Sequence, residues 1–248
     1  MTIEPIFKVF DEEAHIYPIG DIHLGSPQFN ADRFNKLLEV IESDDKAAVI
    51  LNGDLIENKN KYSQANSVME QEMMPQKQAE KIVESLAPIK DKIIGLTGGN
   101  HEFACEKQTG IDLNFWIASA LDAPYRKNFA MYDLFVNDGV EHRLLSIHGT
   151  GGGSTVGAGL NRLDRFSAGF EDVDIFIMGH THTPAISERT RYFFDGGDVV
   201  ERKVKLYVHP SFMDYGGYAA RGMLCPSGSM YFMIDLGYES LFKEVNLG

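Results

Sequence analysis

Asp21 and His23, Asp54, Asn100, His148, and His180 and His182 share one setting, each standing at or just past the end of an apolar run. The runs are residues 15–19, 47–51, 92–97, 144–147 and 173–178, and a Gly sits beside most of their ends. In α/β proteins ligands gather outside the carboxyl ends of strands, so five strand ends delivering side chains to one place is the expected arrangement. A period of two predicts that Asp21 and His23 share a face of their strand, and that His180 and His182 do the same. Carboxylates, an amide oxygen and imidazoles suit Mn, Fe, Zn or Ni ions, and the absence of thiolates argues against structural zinc. Seven ligands are too many for one tetrahedral ion. With one carboxylate bridging they serve two ions, and a pair about 3.5–4 Å apart can clamp a phosphoryl group and generate hydroxide at neutral pH.

The elements that must position these residues alternate β and α at first and turn mostly β after residue 182. Residues 6–10 read as a first strand. Phe34, Leu37, Leu38 and Ile41 recur at helical spacing over residues 29–41, with Asn30 or Asp32 as the cap. Residues 63–86 read as a helix broken or kinked at Pro75, with Met69, Met73 and Met74 as packing residues. A short helix over residues 111–121 carries Trp116. A hairpin is expected across Asn137–Asp138–Gly139 and a second turn at residues 195–198. Residues 149–159, rich in Gly and Ser, read as loop, and residues 160–170 as helix. Strands follow over residues 186–194, 199–209, 230–236 and 240–245, and residues 215–222 read as an irregular aromatic loop. Two packed sheets with helices outside accommodate this order.

The chain has 248 residues, 44% of them hydrophobic, enough for one sizeable core, and a single set of motifs from Asp21 to His182 favours one domain over residues 1–248. A formal net charge of −13 lacks the basic footprint of a protein that grips nucleic acid along its phosphates. Two cysteines, Cys105 and Cys225, make no disulfide framework. No apolar run approaches the ~20 residues that span a bilayer, and the N-terminus lacks the pattern of a signal peptide. A soluble cytoplasmic protein without a membrane partner is expected.

Asp-x-His, Gly-Asp, Gly-Asn-His-Glu, His-Gly and Gly-His-x-His, in that order over residues 14–182, resemble the calcineurin-like metallophosphoesterase superfamily. The resemblance implies a four-layer α-β-β-α sandwich with two mixed sheets and a dimetal site at the strand ends. It implies that Asp21, His23 and His182 hold the first ion, that Asn100, His148 and His180 hold the second, and that Asp54 bridges them. His101 becomes the histidine outside the ligand set that contacts phosphate and protonates the leaving oxygen. Independently of the family, a titratable group beside a metal-bound Asn is well placed for general-acid work. Glu57 stands where the protein-phosphatase branch carries an acid that orients this histidine. Glu57–Asn58–Lys59 departs from the Asp-Arg-Gly of that branch. Residues 20–25 are more similar to the double-strand-break repair nucleases, and residues 215–222 to phage-encoded members.

Arg162, Arg165 and Arg221 are candidates for phosphate contacts, since guanidinium forks match phosphate oxygens. The stretch Gly149–Ser154 lacks the Gly-Lys-Ser/Thr of a phosphate loop. His15, His142 and His209 fall outside the motifs and read as structural or surface residues, and metal hydroxide makes a nucleophilic Cys105 unnecessary. The expected activity is hydrolysis of a phosphodiester, short or single-stranded nucleic acid included, by a metal-bridging hydroxide with His101 as general acid. The expected cofactors are two divalent ions, Mn first, with Zn, Fe or Ni as alternatives. A phosphomonoesterase acting on a small molecule, nucleotide or phosphoprotein is the alternative. An inactive metal-binding interaction module would be marked by a missing ligand or a missing His101, and every position is filled. Protein purified without chelator and reconstituted with Mn should approach two ions per chain by metal analysis. Asp54→Asn should weaken both sites, whereas a saturated stoichiometry of one would contradict the bridge.

Overall fold

The computed structural model describes residues 4–60, 70–151, 155–221 and 230–247. Its strands are β1 (Ile6–Val9), β2 (Ala14–Ile19), β3 (Ala47–Asn52), β4 (Ile93–Thr97), β5 (Tyr125–Arg126), β6 (Phe129–Val136), β7 (Val140–Ile147), β8 (Ile175–Met178), β9 (Ala185–Asp195), β10 (Asp198–Val208), β11 (Tyr231–Leu236) and β12 (Ser240–Val245). Its helices are α1 (Ala31–Ser43), α2 (Pro75–Leu86), α3 (Asn100–Thr109), α4 (Leu113–Ala120), α5 (Val156–Ser167) and the short α6 (Gly217–Arg221). One sheet runs β1-β6-β7-β8-β10-β9 and the other β12-β11-β2-β3-β4-β5. Both are mixed: β2, β3 and β4 are parallel, as are β7, β8 and β10, while the hairpins β6–β7, β9–β10 and β11–β12 and the long-range pair β2–β11 are antiparallel.

Three apolar layers hold the stack together. Ile16, Ile50 and Ile94 of one sheet meet Tyr132, Leu144 and Ile175 of the other in the central layer. Leu37 and Ile41 of α1, Ile82 of α2 and Ile117 of α4 cover the outer face of the β2–β4 sheet. Leu163 of α5 packs on Phe176, Val204 and Leu206 of the other sheet. This is the expected four-layer sandwich. No helix among the described residues is long and apolar enough to cross a membrane.

Most expected elements are present, with instructive shifts. Asn30 caps α1, its side chain accepting from Arg33 N at 2.8 Å. Pro75 opens α2 rather than breaking it, because a first-turn residue needs no N–H donor; residues 61–69, including Met69, lie outside the described residues. Met73 packs against the core but Met74 is exposed, so packing explains only one of the two. The Gly-rich stretch gives way to α5 at Val156, and a five-residue helix interrupts the loop expected over residues 215–222. The hairpin turn between β9 and β10 is Gly196–Gly197, with φ of 58° and 102°, the left-handed pair that two-residue hairpins demand.

The C-terminus of α1 is closed by a residue from elsewhere in the chain. Lys92 Nζ donates to the carbonyls of Ile41, Glu42 and Asp44 at 2.7, 3.0 and 2.8 Å, a cation at the negative end of a helix. Lys92→Met should cost about 1–2 kcal/mol, seen as a fall in Tm of about 2–8 °C.

Candidate metal centre

All seven candidate ligands lie at the same end of the sandwich, but not on the strands themselves. β2 ends at Ile19 and β8 at Met178, so Asp21, His23, His180 and His182 stand beyond them. The period of two therefore does not aim these pairs, which corrects the sequence expectation. Their backbones do: φ is 48° at Asp21, 53° at His23, 48° at Asp54, 67° at His180 and 55° at His182. Such left-handed conformations cost about 1–3 kcal/mol in residues other than Gly and persist where surrounding structure enforces them. Here the loop after β2 continues pairing with the loop after β3, as Asp21 N and His23 N donate to Gly53 O and Asp54 O at 3.0 Å.

Close approach of glycines completes the turns. A Cβ on Gly99 would lie 2.0 Å from Asp54 N, and one on Gly179 would lie 2.4 Å from Asp21 Oδ2. With Gly99 bare, α3 begins directly beneath Asp54, and His101 N donates to Asp54 Oδ1 at 2.9 Å. The bridging candidate thus sits at a helix N-terminus, where the dipole favours its charge.

The side chains gather in clusters that could each hold a metal ion. Asp21, His23 and His182 converge, and so do Asp54, His148 and His180. Asn100 Oδ1 joins the second set, 3.0 Å from His148 Nε2. A third grouping places His101 near His23 and Asp54. His23 Nδ1 donates to Glu57 Oε2 at 3.0 Å, and His148 Nδ1 to the carbonyl of Asn52 at 2.8 Å. Both rings therefore turn Nε2 inward. His23 Nε2 faces His182 Nε2 at 3.1 Å, and His148 Nε2 faces Asp54 Oδ2 at 3.1 Å. Asp21 Oδ1 is buried and receives no hydrogen bond. Donor atoms so close together call for positive charge among them, protons or metal ions, and the mixed N/O donors fit two divalent ions.

The titration tendencies of the metal-free protein carry the same demand. Burial opposes charge on His148, yet Asp54, by charge and hydrogen bond, holds it up to about 10. Burial also opposes ionisation of Asp21, and the imidazoles of His182, His148 and His209 outweigh it, so Asp21 titrates below the usual carboxylate range. His23 and His180 are pushed down by burial first.

His101 is half-buried and lies outside both proposed ligand sets. Its Nδ1 contacts the backbone carbonyl of Glu57 at 2.6 Å, which leaves Nε2 turned toward the centre, 3.9 Å from Asp54 Oδ2. Burial lowers its pKa, but Asp54 and Glu57 outweigh that and raise it. The carboxylate of Glu57 neither orients His101, the role its offset offered, nor is solvated, for Glu57 is buried. Its carboxylate reaches His23 instead and pairs with Lys59 Nζ at 2.8 Å, while His101 Nδ1 is 3.8 Å from Oε2. Glu57 serves His101 through its main chain.

Arg162 donates to Gly151 O at 3.1 Å, tying α5 to the loop after His148. Arg165 is exposed in the last turn of α5, and the side chain of Arg221 lies outside the described residues, as do residues 152–154. His15 bonds Asp44 and His142 bonds Gly237 O, structural roles as expected. His209 is structural too, but buried under the centre: its Nδ1 contacts Pro210 O at 2.9 Å and its Nε2 lies 3.1 Å from Asn52 Nδ2. Cys105 bonds Thr109 on α3.

Glu102, to which sequence reasoning assigned no role, clamps the turn that carries Asp54. Its oxygens accept from the backbone N–H groups of Asp54, Leu55 and Ile56 at 3.2, 2.8 and 3.1 Å. The available signal was an acid in the first turn of a helix that follows a strand end.

The family model described as calcineurin-like phosphoesterase matches residues 14–184. No curated protein matches in sequence. Among solved structures, the chain is similar to Vacuolar Protein Sorting 29 from Cryptosporidium parvum, with 14% identity over 95% of this chain and 98% of that one and a TM-score of 0.49. Vps29 from Chaetomium thermophilum shares 12% over 94% and 97% of the two chains, with a TM-score of 0.45. GAP50, the anchor in the inner membrane complex of Plasmodium, shares 12% over 96% and 85%, with a TM-score of 0.45.

Burial first, and the charge of Asp54 second, push Glu102 up to about 7 against its amide donors. A carboxyl raised in the folded state contributes stability that is complete below its unfolded pKa and lost as pH rises through the folded one. The Tm of chelated protein should therefore fall between about pH 5 and pH 8, and Glu102→Gln should flatten that decline. An unchanged decline in the variant would remove Glu102 from the account.

Proposed function

Because the chain belongs to the calcineurin-like phosphoesterase family, we propose that it hydrolyses a phosphoric ester with two divalent ions, and that a phosphodiester is its preferred substrate. Asp21, His23 and His182 would hold one ion, Asn100, His148 and His180 the other, and Asp54 both. When bound, such ions supply Lewis acidity toward phosphate oxygens and activate water at neutral pH. The oxygen-rich and imidazole-rich donor set accommodates Mn first, with Zn, Fe and Ni as alternatives.

The observation that carries the reading is the placement of His101. Glu57 O holds Nδ1, so Nε2 carries the exchangeable proton beside the centre. His101 retains partial access to solvent while Asp21, His23, Asp54 and His148 are buried beneath it. A phosphate arriving from solvent meets His101 on its open side, and Nε2 delivers a proton to the departing oxygen. α3 fixes this geometry twice, since the residue that supplies His101 also donates its N–H to Asp54.

The preference for a diester rests on charge. A monoester dianion asks for cations beyond the metal pair, whereas a diester carries one negative charge. Lys59 is already paired with Glu57, Arg162 is tied to Gly151 and Arg165 sits in the last turn of α5. With a net charge of −13, short, single-stranded or end-presented nucleic acid suits this site better than a long duplex. The test is a side-by-side assay of Mn-loaded protein on bis-p-nitrophenyl phosphate and p-nitrophenyl phosphate. Higher kcat/KM on the diester supports the reading; turnover of the monoester alone moves the protein to a phosphomonoesterase, and no turnover of either refutes the hydrolase. His101→Ala should keep both ions while kcat falls about 10²–10⁴-fold. The loss should be smaller for the good leaving group p-nitrophenolate than for an alkyl alcohol, and loss of metal in this variant would contradict a role outside the ligand set.

A further inference from the structure

Each ion in the proposed centre draws ligands from both sheets. Asp21, His23, Asp54 and Asn100 follow β2, β3 and β4, while His148, His180 and His182 follow β7 and β8 of the other sheet. Something must hold the two sheet ends at a fixed offset, since a shift of about 1 Å separates ligands from their ion.

Asn52, the last residue of β3, is fully buried at that seam. Its Nδ2 lies 3.2 Å from Ile147 O and 3.1 Å from His209 Nε2. Its Oδ1 accepts from Thr97 Oγ1 at 2.8 Å and from Ser146 Oγ at 3.0 Å. A carbonyl can only accept, so Ile147 O assigns the nitrogen of the amide to that side. His209 Nε2 then accepts as well, and its Nδ1–H goes to Pro210 O. An amide offers two N–H donors and two lone pairs, and all four are used. Thr97 belongs to β4, Ser146 and Ile147 to β7, and His209 follows β10, so one side chain ties together four strand ends from two sheets. The main chain of the same residue accepts from His148 Nδ1 at 2.8 Å and so sets the tautomer of a ligand.

We propose that Asn52 is the positioning residue that keeps the two halves of the centre in register, so that two ions share Asp54 instead of binding separately. The inference rests on the two-metal reading above. Asp lacks both donors, Leu lacks all four groups, and Gln carries its amide one methylene further from the backbone.

The experiment compares wild type, Asn52→Leu, and the double variant Thr97→Val/Ser146→Ala, which keeps the amide but removes both hydroxyl donors. Each is titrated with Mn after chelation and read by electron paramagnetic resonance, with far-UV circular dichroism of the metal-free protein as the check on folding. Wild type should take up two ions and give the multi-line spectrum of a spin-coupled pair. Folded Asn52→Leu should bind the second ion about 10–100-fold more weakly, give the six-line spectrum of uncoupled Mn, and lose kcat more than KM. The double variant should fall between them, which keeps the test open if Asn52→Leu does not fold. A wild-type spectrum and affinity in either folded variant would overturn the role of Asn52 while leaving the two-metal reading intact. A wild-type protein that takes up fewer than two ions would overturn both.

Discussion

The centre depends on a division of labour between two sheets that must not slide. Neither sheet alone supplies either proposed ligand set, so the central apolar layer and the buried polar contacts at its end are as much a part of the candidate site as the histidines. Isoleucines and tyrosines in that layer supply the cohesion, which is non-directional and tolerates small displacements. Direction comes from hydrogen bonds, and the amide of Asn52 makes four of them across the seam. A buried polar group is costly unless satisfied, and once satisfied it specifies one arrangement over its neighbours.

Charge follows the same economy. Asp21, Asp54, Glu57 and Glu102 are all buried within one small region, an arrangement that would be prohibitive without compensation. Each has a specific answer. Asp54 takes the N-terminus of α3, Asp21 takes the N–H of His180, Glu57 takes His23 and Lys59, and Glu102 takes three consecutive amides. Less completely answered is the middle, where the Nε2 atoms of His23 and His182 face each other and Asp21 Oδ1 has no nearer ion partner than the His182 imidazole, at 3.3 Å. Positive charge in this region is favoured, and Asp54 raises the pKa of His148 to about 10.

Backbone strain is spent at the same location. Five of the seven candidate ligands have left-handed φ angles. Asp and His tolerate this conformation better than bulky or β-branched residues, which gives these positions a backbone reason for their residue types in addition to the chemical one. The strain turns each side chain inward after its strand has ended, and the glycines at 99 and 179 let neighbouring turns touch so that this can happen.

Much of the molecule was legible in the sequence because the signals are local. Apolar runs followed by Asp, Asn or His, amphipathic helices, an Asn cap at residue 30 and Gly-Gly in a hairpin are properties of a few consecutive residues. That seven Asp, Asn and His residues meet at one end was legible in the same way, whereas their division into two sets was implied only by the family resemblance. Other features belong to residues far apart in the chain. The offset of Glu57 from Asp54 could not decide its partner, and its carboxylate went to His23, because the turn after Asp54 directs the side chain one way and the carbonyl the other. Asn52 looked like the polar end of an apolar run, and His209 like any lone histidine. They acquired roles only when β3 and β10 were brought within 3.1 Å of contact, across 157 positions of sequence. Residue type and spacing determined which chemistry was available. Which groups hold that chemistry in place was decided by the packing of one sheet on the other, since buried hydrogen bonds are chosen by whatever partner the fold leaves within reach.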